Sequence, residues 1–213
     1  MTKAIILDFD GTIADTTESI MMSVRHTAKV LGVQIDEEVA FRTIGLPLQE
    51  TFFRAFGLKD RDDVENAMAI YRKYFNSIDG VSYIKLYPGV MDGLMQFKSN
   101  GISLGIATSR HMESLTFLCD HLGIADLFDV MNTVDTVPNP KPAPDTVLAC
   151  LDTLGIEPAE AIVTGDTTFD LQMGRRAGCR TCGVTYGSHT PEMLRTESPD
   201  YLVSDLRELF HIV

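Results

Sequence analysis

The hydrophobic pattern of this chain begins with a short, continuous apolar run. Ala4 to Leu7 are all apolar, and the sequence Asp8-Phe9-Asp10-Gly11-Thr12 follows directly. An unbroken apolar run of this length is typical of a parallel strand that is buried on both faces. We therefore predict a strand over residues 4–7, with two acids just beyond its carboxyl end.

The next segment, residues 14–83, carries apolar residues at helical spacing. One apolar stripe lies between Ser19 and Leu31, a second between Leu48 and Phe56, and a third between Asp60 and Phe75. Gly45-Leu46-Pro47 interrupts the pattern between the first two stripes. Apolar residues that recur every three or four positions indicate amphipathic helices, so this segment is predicted to be almost entirely helical.

From Tyr87 onward, strands alternate with amphipathic helices. Strands are predicted at residues 102–107, 128–132, 161–164, 181–186 and 201–203, and helices at 114–122, 144–154, 169–177 and 206–210. Strands separated by helices of this length form a parallel sheet that is covered on both faces. The predicted fold class is α/β, a doubly wound parallel sheet with a Rossmann-like core. Residues 1–13 and 84–213 form that core, and residues 14–83 form an inserted α-helical cap domain.

Composition and charge narrow the possible functions. The chain has 213 residues, 45% of them hydrophobic and 23% charged, as in an ordinary globular protein. A net charge of −12 disfavours nucleic acid or an anionic membrane as a partner, and no apolar run approaches the roughly 18 residues that span a bilayer. The sequence begins with the predicted first strand and shows no signal-peptide pattern. We interpret its cysteines as reduced, buried thiols. We expect a cytoplasmic protein, and the sequence does not indicate its oligomeric state.

Polar residues suited to phosphate chemistry follow four of the predicted strands. They are Asp8 and Asp10, then Thr108 and Ser109, then Lys141, and finally Asp166 with Asp170. The carboxyl ends of parallel strands share one edge of the sheet, so these side chains should converge there. Two carboxylates 4 Å apart repel by about 4 kcal/mol at an effective dielectric of 20, so the site needs a cation or a proton. Oxygen ligands of this kind suit Mg²⁺, and a lysine suits phosphoryl oxygens.

In this order, the residues resemble the four motifs of phosphatases of the haloacid dehalogenase superfamily. The first motif corresponds to Asp8–Thr12, the second to Thr108, the third to Lys141, and the fourth to Gly165-Asp166 with Asp170. The resemblance covers the core and, more loosely, the cap. The turn at Ile44-Gly45-Leu46-Pro47 and the pair Tyr186-Gly187 are most similar to the branch that contains phosphoglycolate phosphatases and pyrophosphatase-like enzymes.

The resemblance implies Mg²⁺-dependent hydrolysis of a small phosphorylated metabolite through an aspartyl-phosphate. Asp8 would be the nucleophile, and Asp10 would act as general acid and then general base. The metal ligands would be Asp8, Asp166 and the backbone carbonyl of Asp10. The phosphoryl group would be bound by Thr108, Lys141, Gly11 and the N–H groups of Phe9 and Ser109. Asp170 would orient Lys141 or a water on the metal rather than bind the metal directly.

Several alternatives remain open at this point. The resemblance also covers a β-phosphoglucomutase-like sugar phosphomutase, although Ile20 stands where those enzymes carry a histidine, and an inorganic pyrophosphatase. A receiver-type signalling module that accepts a phosphoryl group uses similar residues, but it is much shorter and lacks a helical insert. Thr108 could instead cap a helix, and Asp170 could complement a helix dipole. The sequence identifies neither the substrate nor the choice among Mg²⁺, Mn²⁺ and Co²⁺.

Overall fold

The computed structural model describes residues 1–77 and 81–212, and its centre is a six-stranded parallel sheet. The strands of the chain are β1 (Ala4–Leu7), β2 (Ala14–Asp15), β3 (Lys85–Leu86), β4 (Ser103–Ala107), β5 (Val130–Asn132), β6 (Ala161–Gly165), β7 (Arg180–Val184) and β8 (Tyr201–Val203). The order in the large sheet is β5-β4-β1-β6-β7-β8, and every neighbouring pair is parallel. The predicted α/β fold with a doubly wound parallel sheet is confirmed.

The central strand β1 explains the unbroken apolar run at the start of the chain. All four of its residues are fully buried. Ile5 and Leu7 join the apolar cluster on one face of the sheet, whereas Ala4 and Ile6 join the cluster on the other. Because alternate side chains point to opposite faces, both faces need apolar residues here. The strand order runs outward from β1 in both directions, so the chain reverses its winding beside this strand.

Between β2 and β3, the described residues include four helices joined by short loops. The helices are α1 (Thr17–Leu31), α2 (Glu37–Arg42), α3 (Leu48–Arg54) and α4 (Arg61–Phe75). We call residues 16–77 and 81–84 the helical insert. Val24 of α1 and Met68 of α4 belong to the same buried cluster, which also includes Ile5 and Leu7 of the core. Residues 78–80 of the predicted cap lie outside the described residues, and the division into two domains stays a prediction.

One part of the predicted helical segment is wrong. Ala14 and Asp15 form β2, which pairs antiparallel with Lys85 and Leu86 of β3. At this point the chain leaves the core and later returns to it, so the two connecting segments lie side by side and satisfy each other's backbone groups. A helical period cannot reveal such a pairing, because the two partners are far apart in sequence.

The remaining helices cover the large sheet. They are α5 (Val90–Ser99), α6 (Met112–His121), α7 (Asp145–Leu154), α8 (Thr168–Arg176) and α9 (Pro191–Thr196), with short 3-10 helices at Ala125–Leu127, Pro158–Glu160 and Leu206–His211. Helices α5 and α9 were not predicted from the sequence, and the segment predicted as the last helix forms a 3-10 helix. Within residues 1–77 and 81–212, no helix combines the length and apolar character needed to cross a bilayer.

Candidate active site

The carboxyl ends of three strands bring the predicted residues to one edge of the sheet. Asp8 follows β1, Thr108 follows β4 and Asp166 follows β6, and all three side chains are buried. The Asp8 N–H donates to the Thr164 carbonyl at 2.9 Å, which fixes the first acid against β6. The edge where the strand order reverses therefore carries the chemistry, as it does in other open α/β sheets.

Lys141, from the loop after β5, lies between two of the acids. Its Nζ is 2.6 Å from Asp8 Oδ1 and 2.6 Å from Asp170 Oδ1, and none of the three side chains is more than 2% exposed. Burial opposes the charged amine, but Asp170 and Asp8 outweigh it and raise the pKa of Lys141 above its ordinary value. Lys141 is thus a permanent cation beside Asp8, where it can offset charge on a bound anion.

Asp170 holds Lys141 and also begins α8. Its Oδ2 accepts hydrogen bonds from the Thr167 N–H at 2.9 Å and the Thr167 hydroxyl at 2.7 Å, while its Oδ1 accepts one from Lys141 at 2.6 Å. Thr167 and Asp170 together form the capping box of this helix. The predicted contact with Lys141 and the alternative role at the helix terminus are therefore both present.

Asp166 is held by groups from two distant loops. Thr12 Oγ1 donates to its Oδ1 at 3.1 Å, and the Ser188 N–H donates to its Oδ2 at 2.7 Å. Burial, followed by the charge of Asp170, raises the pKa of Asp166 to about 7. The carboxylate is thus fixed in position but carries a charge that the protein alone compensates poorly.

Two glycines allow the backbone to pack against Asp166. Gly11 has a φ of +81°, and a Cβ there would lie 2.2 Å from Asp166 Oδ2. A Cβ on Gly187 would lie 2.3 Å from Asp166 Cβ and 2.4 Å from the Gly11 carbonyl oxygen. No side chain fits at either place. The glycine of the first motif is therefore explained by close packing around the acid as well as by its backbone conformation.

The acids at this edge fit a divalent cation. Carboxylate oxygens of Asp8, Asp166 and Asp170 lie within 4.8 Å of one another, and all three residues are buried. Asp8 Oδ2 is buried and has no hydrogen-bond partner among the residues that the structure describes. Burial raises the pKa of Asp8 well above its ordinary value; the nearby acids add to this, whereas Lys141 opposes it. Carboxylate oxygens are the ligands that a hard cation such as Mg²⁺ prefers. A cation bound here would also compensate the buried Asp8 oxygen that lacks a hydrogen bond.

Asp10 is not a member of this cluster and binds Arg110, an arginine that was not predicted to be a site residue. Arg110 Nε donates to Asp10 Oδ2 at 3.1 Å, and Arg110 Nη2 donates to Asp10 Oδ1. The Thr16 hydroxyl donates to the same Oδ1 at 2.6 Å. Although burial opposes its charge, Asp10 raises the pKa of Arg110 above its ordinary value. No local sequence pattern indicates this pair, because its members are one hundred positions apart.

A cavity of about 280 Å³ opens between the helical insert and the core. The core contributes Asp8, Asp10, Thr108, Ser109 and Arg110 to its lining. The insert contributes mainly apolar groups, together with one arginine and several polar side chains: Ile20, Thr43, Ile44, Leu46, Leu48, Thr51, Tyr71, Arg72, Phe75 and Asn76. The predicted nucleophile therefore lies at the floor of a cavity that both parts of the chain enclose.

Direct contacts join the insert to the core around this cavity. The Ser109 hydroxyl donates to the Gly45 carbonyl at 2.7 Å. Arg72 Nη2 donates to His111 Nε2 at 2.8 Å, so the opposite ring nitrogen, Nδ1, is the donor in its 2.7 Å contact with Asp135. His111 therefore has one partner in the insert, Arg72, and one in the core, Asp135.

The other predicted phosphate-binding residues also lie at this edge. Phe9 is fully buried, and the guanidinium carbon of Arg110 is 5.7 Å from its ring centroid. The Thr108 hydroxyl accepts from the Arg110 N–H at 3.2 Å. The N-cap of α6 is His111, so the alternative that Thr108 caps this helix is wrong. Ser109 binds Gly45, as described above. The structure brings all nine predicted site residues together, and their chemical roles remain predictions.

Comparisons with known proteins identify the family. The chain matches the family described as haloacid dehalogenase-like hydrolase over residues 5–184. It is 34% identical to pyrophosphatase PpaX of Bacillus velezensis, over 98% of this chain and 95% of that protein. It is 32% identical to the "probable phosphatase IndB" of Dickeya dadantii, over 98% and 92% of the two chains.

A solved structure from Haemophilus somnus, of a "predicted phosphoglycolate phosphatase", shares the fold with a TM-score of 0.90. It is 23% identical and covers 99% of this chain and 97% of that chain, so it shows the fold alone. From the family match and the two relatives, the chain belongs to the haloacid dehalogenase-like hydrolases. The predicted superfamily is confirmed, and so is the prediction of a phosphatase-type enzyme.

Proposed function

We propose that this protein is a Mg²⁺-dependent phosphatase that hydrolyses small phosphomonoesters through a phosphorylated Asp8. The observation that carries the proposal is the environment of Asp8. One of its oxygens lies 2.6 Å from the buried cation of Lys141, and the other has no hydrogen bond from a described residue. Such a carboxylate is positioned by charge but keeps an oxygen for attack on phosphorus. The names of the two relatives support the same reaction class.

The proposed reaction has two steps that balance. First, an Asp8 oxygen attacks phosphorus, the bond from phosphorus to the ester oxygen breaks, and Asp10 gives its proton to the departing oxygen. Water then attacks the phosphorus of the aspartyl-phosphate, Asp10 accepts a proton from it, and the bond to Asp8 breaks. Inorganic phosphate leaves, and both carboxyl groups return to their starting states.

The remaining residues would bind and orient the phosphoryl group. Lys141 would neutralise charge on Asp8 and the phosphoryl oxygens, and Thr108 would donate its hydroxyl. Backbone N–H groups of Phe9 and Ser109 would bind the other oxygens. Asp8, Asp166 and the Asp10 carbonyl would hold Mg²⁺, which supplies positive charge that orients and polarises a phosphate when bound. We expect the substrate to be a small cytoplasmic metabolite.

A panel of phosphate metabolites with detection of free phosphate tests this proposal. We expect activity that a chelator removes and added Mg²⁺ restores, with Mn²⁺ and Co²⁺ compared in parallel. Asp8→Asn should lower kcat by a factor on the order of 10⁴ or more, because it removes the nucleophile. Asp145→Asn, a partly exposed acid in the first turn of α7, is the control and should leave kcat unchanged. Near-full activity of Asp8→Asn, or activity that survives the chelator, would contradict the proposal.

An inorganic pyrophosphatase is the second candidate. The name of the Bacillus velezensis relative favours it, and the same nucleophile and metal ligands would serve a phosphoanhydride. Pyrophosphate therefore belongs in the substrate panel.

A further inference from the structure

The cavity contains a buried ion pair that the proposed reaction must open. Arg110 engages both oxygens of Asp10, and Thr16 donates to one of them. The side chains of Arg110 and Asp10 are only 9% and 13% exposed. In this arrangement both Asp10 oxygens are occupied by protein donors. Asp10 must break at least one of these hydrogen bonds before it can reach the ester oxygen of a substrate.

The surroundings of Arg110 make that separation unfavourable. Its guanidinium carbon lies 4.7 Å from the ring centroid of Phe75, in the insert, and 5.7 Å from that of Phe9, in the core. Nη1 donates to the Ser114 hydroxyl at 2.8 Å. Two rings and a hydroxyl cannot replace a carboxylate. Asp10 is the one acid that forms an ion pair with Arg110 among the described residues, and a buried charge that loses such a partner is strongly destabilised. Another anion must therefore take the place of Asp10.

We propose that Arg110 is the receptor for a second anionic group of the substrate, and that this group displaces Asp10. The proposal rests on the phosphatase function and specifies its substrate class. The substrate is a phosphate ester or anhydride with a carboxylate or phosphate close to the transferred phosphoryl group. A guanidinium binds either anion with two parallel hydrogen bonds, as it binds Asp10 here.

The position of Arg110 fits this role. Its backbone N–H donates to the Thr108 hydroxyl, and its side chain lines the same cavity as Asp8. A group bound by Arg110 therefore lies close to the site of phosphoryl transfer. Arg72, the other arginine in the lining, is exposed on α4 and binds His111 at the rim. Arg72 serves as the matched control because it has the same charge in the same cavity.

Two pairs of substrates isolate the second anion. Phosphoglycolate and 2-hydroxyethyl phosphate have nearly the same size and differ in one carboxylate. Pyrophosphate and p-nitrophenyl phosphate have leaving groups of similar acidity and differ in whether the leaving group is a second phosphate. The measured quantity is the ratio of kcat/KM within each pair. The wild-type enzyme should prefer the anionic member of at least one pair by a factor on the order of 30 or more, as expected for a desolvated charge pair.

Arg110→Gln should abolish most of this preference, mainly by lowering kcat/KM for the anionic member. Arg110→Lys keeps the charge without the two-pronged geometry and should retain part of the preference. Arg72→Gln should retain nearly all of it. Thermal unfolding checks that each variant is folded, and the wild-type ratios test the proposal even if Arg110→Gln does not fold.

The possible outcomes separate the two proposals. If the wild type hydrolyses both members of each pair equally well, the phosphatase function stands and the second-anion receptor is wrong. The receptor is also wrong if Arg110→Gln slows both members equally, or if Arg72→Gln removes the preference instead. If the wild type releases phosphate from none of the four compounds or the wider panel, the phosphatase function itself fails.

Discussion

Asp170 ties Lys141 to the first turn of α8, with 2.6 Å between Asp170 Oδ1 and Lys141 Nζ. Both side chains are almost completely inaccessible to solvent. The contact fixes the position of the cation beside Asp8, so the second acid of the fourth motif acts on the predicted nucleophile through the lysine of the third motif.

We therefore predict that Asp170→Asn lowers kcat by about 10- to 100-fold, the usual effect of losing a residue that orients another site residue. The reason is that the amide carries no negative charge to hold Lys141 in place. We expect KM to change less than kcat. Asp145→Asn removes an acid from the first turn of α7 without touching Lys141, so it controls for the helix-terminal effect. Equal activity of the two variants would show that Asp170 serves only the helix.

Gly187 offers a steric test of the Asp166 environment. An added Cβ would lie 2.3 Å from Asp166 Cβ, so Gly187→Ala must move either the acid or the loop. We expect activity to fall to near background and the free energy of unfolding to drop by about 1–3 kcal/mol.

Gly93→Ala is the control for that substitution. Its Cβ would meet Leu206 at an ordinary 3.5 Å, and alanine favours the helix in which Gly93 lies. The control should keep full activity. If Gly187→Ala is equally active and binds metal normally, the close packing around Asp166 is not required for function.

The stability of the metal-free protein should depend on pH through Asp166. Because burial raises the pKa of Asp166 to about 7, the folded state binds a proton that the unfolded state has already lost between about pH 4 and pH 7. Stability should therefore fall as pH rises through this window, by up to about 1.4 kcal/mol per pH unit for each such proton. Asp8, with its raised pKa, acts in the same direction.

Chemical denaturation with a chelator present measures this effect in the wild type and in Asp166→Asn. The two proteins should have similar stability near pH 4, and the variant should become the more stable one as pH approaches 8. Subtracting the two curves removes contributions from other groups, such as His189, whose pKa burial lowers. A difference that does not change with pH would contradict the assignment to Asp166.

The insert should open and close over the core when substrate enters and product leaves. Two of the contacts that hold it in this structure, Ser109 to Gly45 and Arg72 to His111, are polar contacts between residues that line the cavity. We expect small-angle scattering to show a more compact particle with Mg²⁺ and vanadate, as a phosphate analogue, than without them. Arg72→Ala should expand the free protein. Superimposable curves in all conditions would rule out this motion.

Local patterns predicted the sheet edge but not the partners that its residues find there. The apolar run before Asp8 predicted β1, because a strand buried on both faces needs apolar residues at every position. No local pattern predicted the role of Arg110, because its partner Asp10 follows a different strand. His111 was missed for the same reason: its partners Arg72 and Asp135 come from the insert and from a loop after β5.

Backbone constraints were equally hard to predict. Gly187 lies in a loop where glycine is common, and only the proximity of Asp166 explains it. The pairing of β2 with β3 involves two residues on each side, too few for a periodic signal. The sequence thus predicts features that repeat along the chain, whereas contacts between distant segments require the fold.

The central claim, that Asp8 carries the phosphoryl group, can be tested by trapping it. Asp10→Asn lacks the base that activates water, but a substrate with a good leaving group, p-nitrophenyl phosphate, can still phosphorylate Asp8 without a strong acid. After rapid quenching, mass spectrometry of the peptide that contains Asp8 should show the added mass of one phosphoryl group on that residue. Detection of the phosphoryl group on another residue, or of p-nitrophenol release with Asp8 unmodified at every time point, would contradict the account.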